Sequence, residues 1–245
     1  MRIVLAIEGA DGSGKSSLAT FLMKLCRQRG LPFTLVGRRE STASPLVGKL
    51  SRLLQEEAPD LTPPGALLVR LAREYQRAKL AAAVPSGLVV LDRFVLSVLA
   101  LVRLNGLDVG AFHNLLKDVT ARAHLHATVF VQCPPEVAWQ RVRERGRGAA
   151  GNGQTSEQLF RQVAAYLEDD FRCGSFTGQQ WPVDNSGAAE VAAEQLEDYL
   201  ASFLRDGRPA GLASGTDLRP PAAPAEPDGG PQLPGEPEQL AEAAV

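Results

Sequence analysis

Cysteine is scarce in this chain: Cys26, Cys133 and Cys173 make an odd, widely spaced set of three with no C-x-x-C pair. That argues against both a disulfide framework and a zinc site, and it fits a reducing compartment. Histidine is equally sparse, and His113, His124 and His126 show no metal-ligand spacing with carboxylates or cysteines. No apolar run approaches the roughly 20 residues of a membrane span, and the first strand-like segment begins too early to leave room for a signal peptide. We therefore expect a cytoplasmic protein. A strong charge of one sign is also missing: the formal net charge is -2, which gives no reason to expect nucleic acid or a membrane surface as a partner. There is no internal repeat and no N-K-x-D guanine-reading motif.

The remaining composition divides the chain. From Asp206 onward there are seven acidic residues against two arginines, and eight of the 17 prolines, with almost no large apolar side chains. Such a segment cannot bury enough surface to offset its ordering entropy, so we expect residues 206–245 to be a disordered tail. Residues 1–205 carry 24 basic against 21 acidic residues and have the apolar content for a sizeable core.

That core is organised around Gly9-Ala10-Asp11-Gly12-Ser13-Gly14-Lys15-Ser16, preceded by the apolar run Ile3 to Ile7. The stretch matches G-x-x-x-x-G-K-[ST] at every fixed position, with a strand before it and a helix-competent segment after it. Gly9, Gly12 and Gly14 let the backbone wrap phosphate, and the helix that follows presents free N–H groups and a positive end to the anion. Lys15 would reach the β and γ phosphates and Ser16 would take one position on a magnesium ion, with Ser17 helping to cap.

Periodicity lays out the rest. Leu18, Phe21, Leu22 and Leu25 fall at helical spacing up to Gly30-Leu31-Pro32, and a second strand runs from Phe33 to Val36. We expect a short helix from Leu46 to Leu54, a turn-prone stretch from Pro59 to Gly65 and a helix from Ala66 to about Ala83. Leu88 to Leu91 is uniformly apolar, as a strand covered on both faces should be, and runs into Asp92-Arg93. Mostly helical sequence then extends from Phe94 to His126. Ala127 to Gln132 reads as a strand, Glu136 to Arg145 as a helix, and the glycine-rich 146–153 as a mobile loop. Ser156 to Phe171 is helical, Trp181 to Asp184 a last strand, and Glu190 to Leu204 an amphipathic helix. Alternating strands and helices predict an α/β three-layer sandwich around a parallel sheet of about five strands, which with the phosphate loop is a P-loop NTPase architecture.

Two further clusters carry chemistry. Asp92, at the carboxyl end of a buried strand, is placed to reach magnesium or orient Ser16, with Arg93 pointing into the same crevice; a helix cap with a surface arginine is the plainer alternative. Arg141, Arg143, Arg145 and Arg147 crowd one end of a helix and the loop after it, forming a lid around 141–155 whose guanidiniums would neutralise charge on a transferred phosphoryl group and whose closure would exclude water. A solvated helix face paired with Glu136 and Glu144 is the alternative there.

Glu8 to Ser17, Arg39-Glu40, Arg73 with Gln76, Asp92-Arg93-Phe94 with Ser97, Pro135-Glu136-Val137 and Arg143-Glu144-Arg145-Gly146 together resemble the thymidylate kinase family in order and approximate spacing. The resemblance spans residues 3–204. It implies the nucleoside monophosphate kinase type of P-loop NTPase fold and ATP-dependent phosphorylation of dTMP to dTDP, with Mg2+, in a homodimer. By the same resemblance Gly9 to Ser17 hold ATP, Asp11 approaches the acceptor sugar, Arg39 and Arg93 hold the acceptor phosphate, and Arg73 contacts the base with Gln76 beside it. Ser97 and Leu101 belong to the acceptor side, and Ser16 and Asp92 manage the metal. The family's catalytic arginine sits in the phosphate loop or in the lid. Here Lys15 is the loop's only cation, so Arg143, Arg145 and Arg147 would serve. The pattern departs where the family has an aromatic ring for the base, here Val69, and another near the sugar, here Leu101 and Val102; Ser41-Thr42-Ala43 replaces a proline and glycines. A related kinase with another nucleotide, nucleoside or small-molecule acceptor is one alternative, and a non-catalytic nucleotide-binding switch or assembly ATPase is another.

Overall fold

In a computed structural model, described over residues 1–37, 63–145 and 156–206, the apolar segment Arg2–Glu8 becomes the central strand β1. The other strands are β2 (Phe33–Val36), β3 (Gly87–Asp92), β4 (Ala127–Gln132) and β5 (Gln179–Asp184). They form one sheet in the order β2-β3-β1-β4-β5, and every pairing is parallel. Parallel strands demand long crossovers, which are supplied by α1 (Lys15–Gln28), α2 (Pro63–Ala83), α3 (Val95–Leu104), α4 (Val109–Ala123), α5 (Pro135–Glu144) and α6 (Glu157–Cys173), with α7 (Ala189–Asp206) following β5.

Strand alternation explains the two-sided core. Ile3, Leu5 and Ile7 of β1 pack with Leu18, Leu22 and Leu25 of α1 and with Leu196, Leu200 and Phe203 of α7. Val4 and Ala6, pointing the other way, join Leu71, Phe94, Leu116 and Leu167 from α2, the start of α3, α4 and α6. The expected three layers and five-stranded parallel sheet are therefore present. Trp181 is buried in the α1/α7 layer and stacks on Tyr199, with ring centroids 5.6 Å apart.

Local chemistry sets the ends of the helices. After α1, Gly30 takes a left-handed φ of 64°, the Leu31 N–H donates to Cys26 O at 2.9 Å, and the Gly30 N–H donates to Arg27 O at 3.3 Å, which satisfies carbonyls left over at the helix end. Ser156 accepts from the Leu159 N–H at 3.2 Å and caps α6. Two expectations shift. The helix α2 starts at Pro63, inside the stretch read as a turn, because a proline's missing N–H and fixed φ suit a first helical turn. The long helical stretch after Phe94 is interrupted at Asn105-Gly106, where Gly106 has φ 64° and Asp108 caps α4. The helix read from Leu46 to Leu54, most of the lid loop and the tail from 207 lie outside the described residues.

Candidate active site

The carboxyl ends of β1, β3, β4 and β5 meet at one edge, where Ile7 is in register with Asp92 and Gln132 with Asp184. Crevices beyond this edge are where open α/β sheets place ligands. Gly9 to Gly14 cross it and deliver the chain into α1.

The loop has a tightly fitted backbone. Gly14 has φ 102°, and a Cβ there would lie 2.1 Å from Asn185 Nδ2; Gly12 has φ 79°, and its Cβ would lie 2.1 Å from Ala138 O. Both positions therefore require glycine. Asn185 Nδ2 donates to Ser13 O at 2.6 Å, and Arg141 Nη1 reaches Gly12 O at 3.4 Å, so the loop rests on the ends of β5 and α5. Ala10 O accepts from the Ser13 N–H at 3.2 Å and from Lys15 Nζ at 2.5 Å. Lys15 is buried, and its pKa is lowered to about 7, first by burial and then by Arg93, against the opposing pull of Asp11, Glu8 and Asp92. Burial costs this ammonium much of its hydration, and an anion bound beside it would offset that loss. Ser16 and Ser17 are exposed in the first turn of α1, where the helix makes no side-chain cap.

Arg93 is the second centre. Its backbone is left-handed, with φ 64°, and its N–H donates to Ile7 O at 2.9 Å. Its guanidinium forms an ion pair with Asp11 and also reaches Gly9 O at 3.4 Å and Ser97 Oγ at 3.3 Å. The Asp-Arg pair is thus no helix cap: Phe94 holds the N-cap position of α3, without a side-chain bond. Ser97 is buried and donates its hydroxyl to Glu8 Oε2 at 2.7 Å. Glu8, fully buried, also accepts from the Phe94 N–H at 2.6 Å and the Ser97 N–H at 3.3 Å. This carboxylate locks the start of α3 to the end of β1 and so fixes Arg93.

On α2, Arg77 Nη1 grips Glu74 at 2.9 and 3.2 Å, while its Nη2 donates to Asp92 O at 2.7 Å and Val36 O at 2.8 Å. The pair is buried; burial raises the Glu74 pKa while Arg77 and Arg70 oppose the rise. It hangs α2 over the ends of β2 and β3, with Val69, Arg73 and Gln76 half-buried on it. Leu101 is half-buried against the core, whereas Val102 is fully buried. Arg143 is exposed and lines an open groove of about 620 Å³ with Trp139, Gln140 and Glu157, and Arg145 is exposed at the end of α5. Arg39 and Arg147 lie outside the described residues. Asp92, half-buried, and the Ser16 hydroxyl offer hard oxygen donors, a set that suits a magnesium ion keeping most of its water.

The structure thus brings Asp11, Lys15, Arg93 and Ser97 together. It adds Glu8, Arg77 and Asn185, to which the sequence assigned no role. The available signals were slight: an acid closing an apolar strand, an arginine on the inner face of a helix, and a polar residue directly after the last strand.

A sequence profile of the thymidylate kinase family matches residues 7–176. Among similar proteins, the thymidylate kinase of Mycoplasma pneumoniae is 30% identical over 206 residues, covering 81% of this chain and 95% of that protein. A probable thymidylate kinase of Archaeoglobus fulgidus is 27% identical over 82% of the chain and 96% of its own length. The thymidylate kinase of Xanthomonas campestris is 29% identical over 83% and 85%. With the profile spanning more than half of its length and its phosphate loop and Asp-Arg crevice in place, the chain belongs to the thymidylate kinase family.

Proposed function

We propose that the chain transfers the γ-phosphoryl group of ATP to dTMP, giving dTDP and ADP. The observation that carries this reading is Arg93, whose guanidinium spans Gly9 O, Asp11 and Ser97 and so sets a second cation beside the phosphate loop. Two phosphate-bearing substrates then face each other at the sheet edge. Phosphoryl transfer of this kind rests on positioning and charge, with no nucleophilic side chain required.

In this reading Gly9 to Ser17 wrap the ATP phosphates and Lys15 follows the γ-phosphoryl group. Arg143, Arg145 and Arg147 of the lid offset its growing charge. Asp11 meets the acceptor sugar, and Arg93 with Arg39 holds its phosphate. Arg73 and Gln76 read the base, which Val69 and Leu101 wall. Ser16 and Asp92 would hold Mg2+, which would supply Lewis-acid charge to the transfer. We place the reaction in the cytoplasm, where three free cysteines stay reduced, and we extend the proposal to a homodimer on the family resemblance. Among the described residues, no helix is long and apolar enough to cross a membrane.

Val69 favours a second reading, a relative with another acceptor, because valine packs on a base without the π stacking of an aromatic ring. ADP release measured across dTMP, dUMP, dCMP, dGMP and thymidine separates the two. We expect dTMP to give the highest kcat/KM. A better acceptor would establish the second reading, and slow hydrolysis of ATP insensitive to every acceptor would leave only a nucleotide switch.

A further inference from the structure

Arg70 has no part in the family pattern, yet it stands beside the site. At 3.6 residues per turn, Arg70 lies about 20° around α2 from Arg77 and about 100° from Val69. Arg77 is anchored by its bonds to the Asp92 and Val36 carbonyls at the carboxyl ends of β3 and β2. The helix α2 precedes the parallel strand β3 and runs back along the sheet, so its earlier residues lie toward and beyond that edge. Arg70, seven residues before Arg77, is carried about 10 Å up the helix and out over the crevice. It is half-buried there, with Leu67 and Leu71, which pack into the core, together on one flank of it.

The charges around it are uneven. Burial lowers the Arg70 pKa, Glu74 opposes the fall, and Arg93 and then Arg73 add to it. A guanidinium nevertheless stays charged. Glu74 is committed to Arg77 by two contacts, and Glu8 to Phe94 and Ser97. Of the two cations that weigh on Arg70, Arg93 weighs more, and among the described residues it carries a single carboxylate partner, Asp11. A dianion between Arg70 and Arg93 turns that repulsion into two charge-assisted contacts. A base could not do so, and Val69 and Gln76 lie about 100–120° around the helix from Arg70, on the flank away from Leu67 and Leu71.

Resting on the acceptor reading above, we propose that Arg70 is an acceptor-specificity residue whose guanidinium joins Arg93 in gripping the phosphate of the nucleoside monophosphate. It makes the acceptor site more demanding of a phosphate dianion, at a position where the neighbouring Val69 offers less to the base.

Calorimetric titration of dTMP and of thymidine into wild type, Arg70→Met and Arg70→Lys, beside steady-state kinetics, tests this. We expect Arg70→Met to weaken dTMP about tenfold in Kd and KM and to leave thymidine binding and the KM for ATP unchanged. Arg70→Lys should recover part of the loss. Unchanged dTMP affinity, or an equal loss for dTMP and thymidine, overturns the assignment; the equal loss would mark Arg70 as a packing residue. Thermal unfolding identifies a variant that has lost its fold, in which case Arg70→Lys carries the comparison. A wild type that binds dTMP without phosphorylating it sinks the reaction and leaves the Arg70 comparison readable, whereas one that does not bind dTMP overturns both.

Discussion

Lys15 holds its ammonium in a buried position beside Ala10 O, where burial and then Arg93 outweigh Asp11, Glu8 and Asp92 and lower its pKa to about 7. A neutral side chain of similar length avoids that desolvation. Replacing Lys15 by methionine should therefore raise the melting temperature of the nucleotide-free protein by a few degrees while lowering turnover with dTMP about 10²–10³-fold. Thermal unfolding without ligand and an ADP-release assay check the two halves; a lower melting temperature would show that the ammonium contributes more to the fold than its burial removes. Arg93 shows the same tension in its backbone, since a non-glycine residue at φ 64° is strained unless its surroundings hold it there. Its side chain, tied to Asp11 and Ser97, accounts for keeping an arginine at that bend. Lys15 was legible in the sequence because the phosphate loop is a local pattern, complete within eight residues. Asn185 and Arg77 were not, because their partners lie far along the chain: Ser13 for the one, Val36 and Asp92 for the other.

At the scale of elements, α3 and α6 meet through a charged cluster. Arg103 bonds Asp170 at 3.1 Å, approaches Asp169 at 3.6 Å, and lies over the Tyr166 ring with its centroid 4.3 Å away. Burial pushes the Asp170 pKa up to about 6, although Arg103 pulls the other way. Asp170 Oδ2 is buried without a hydrogen-bond partner, which is why the ion pair fails to win. The raised pKa means that the folded state binds a proton which the unfolded state has released between about pH 4 and 6. Asp170 thus destabilises the fold most above pH 6, and the penalty disappears as the pH falls below 4. The stability of Asp170→Asn relative to wild type should therefore decline by on the order of 2–3 kcal/mol from pH 7.5 to pH 4. Urea unfolding at both pH values measures it, and a difference independent of pH would place the carboxyl in water. Periodicity revealed both helices but not this contact, since it records which face is apolar and not which polar residue is trapped beside it.

At the scale of the whole molecule, alternating apolar strands and amphipathic helices made the three-layer architecture readable, because each strand is buried on both faces and says so in its composition. The order of the strands was not readable. It depends on which crossovers pack together across the sheet, and no stretch of sequence records that locally. The strand made first, β1, ends up in the middle: its residue Arg2 pairs with Gly87 and its Leu5 with Ala127. On the ribosome this strand therefore emerges with both edges bare, and neither is covered until most of β3 and β4 has been made. Chains ending near residue 86 or 126 should be insoluble or chaperone-bound, and those ending after α7 should be soluble. Pelleting of a series of truncated chains measures this; solubility at residue 86 would mean that β1 is shielded before its partners exist. The strand that presents the phosphate loop thus gains its second neighbour only with β4, and the loop itself waits longer still, for Asn185 after β5 to hold Ser13 O.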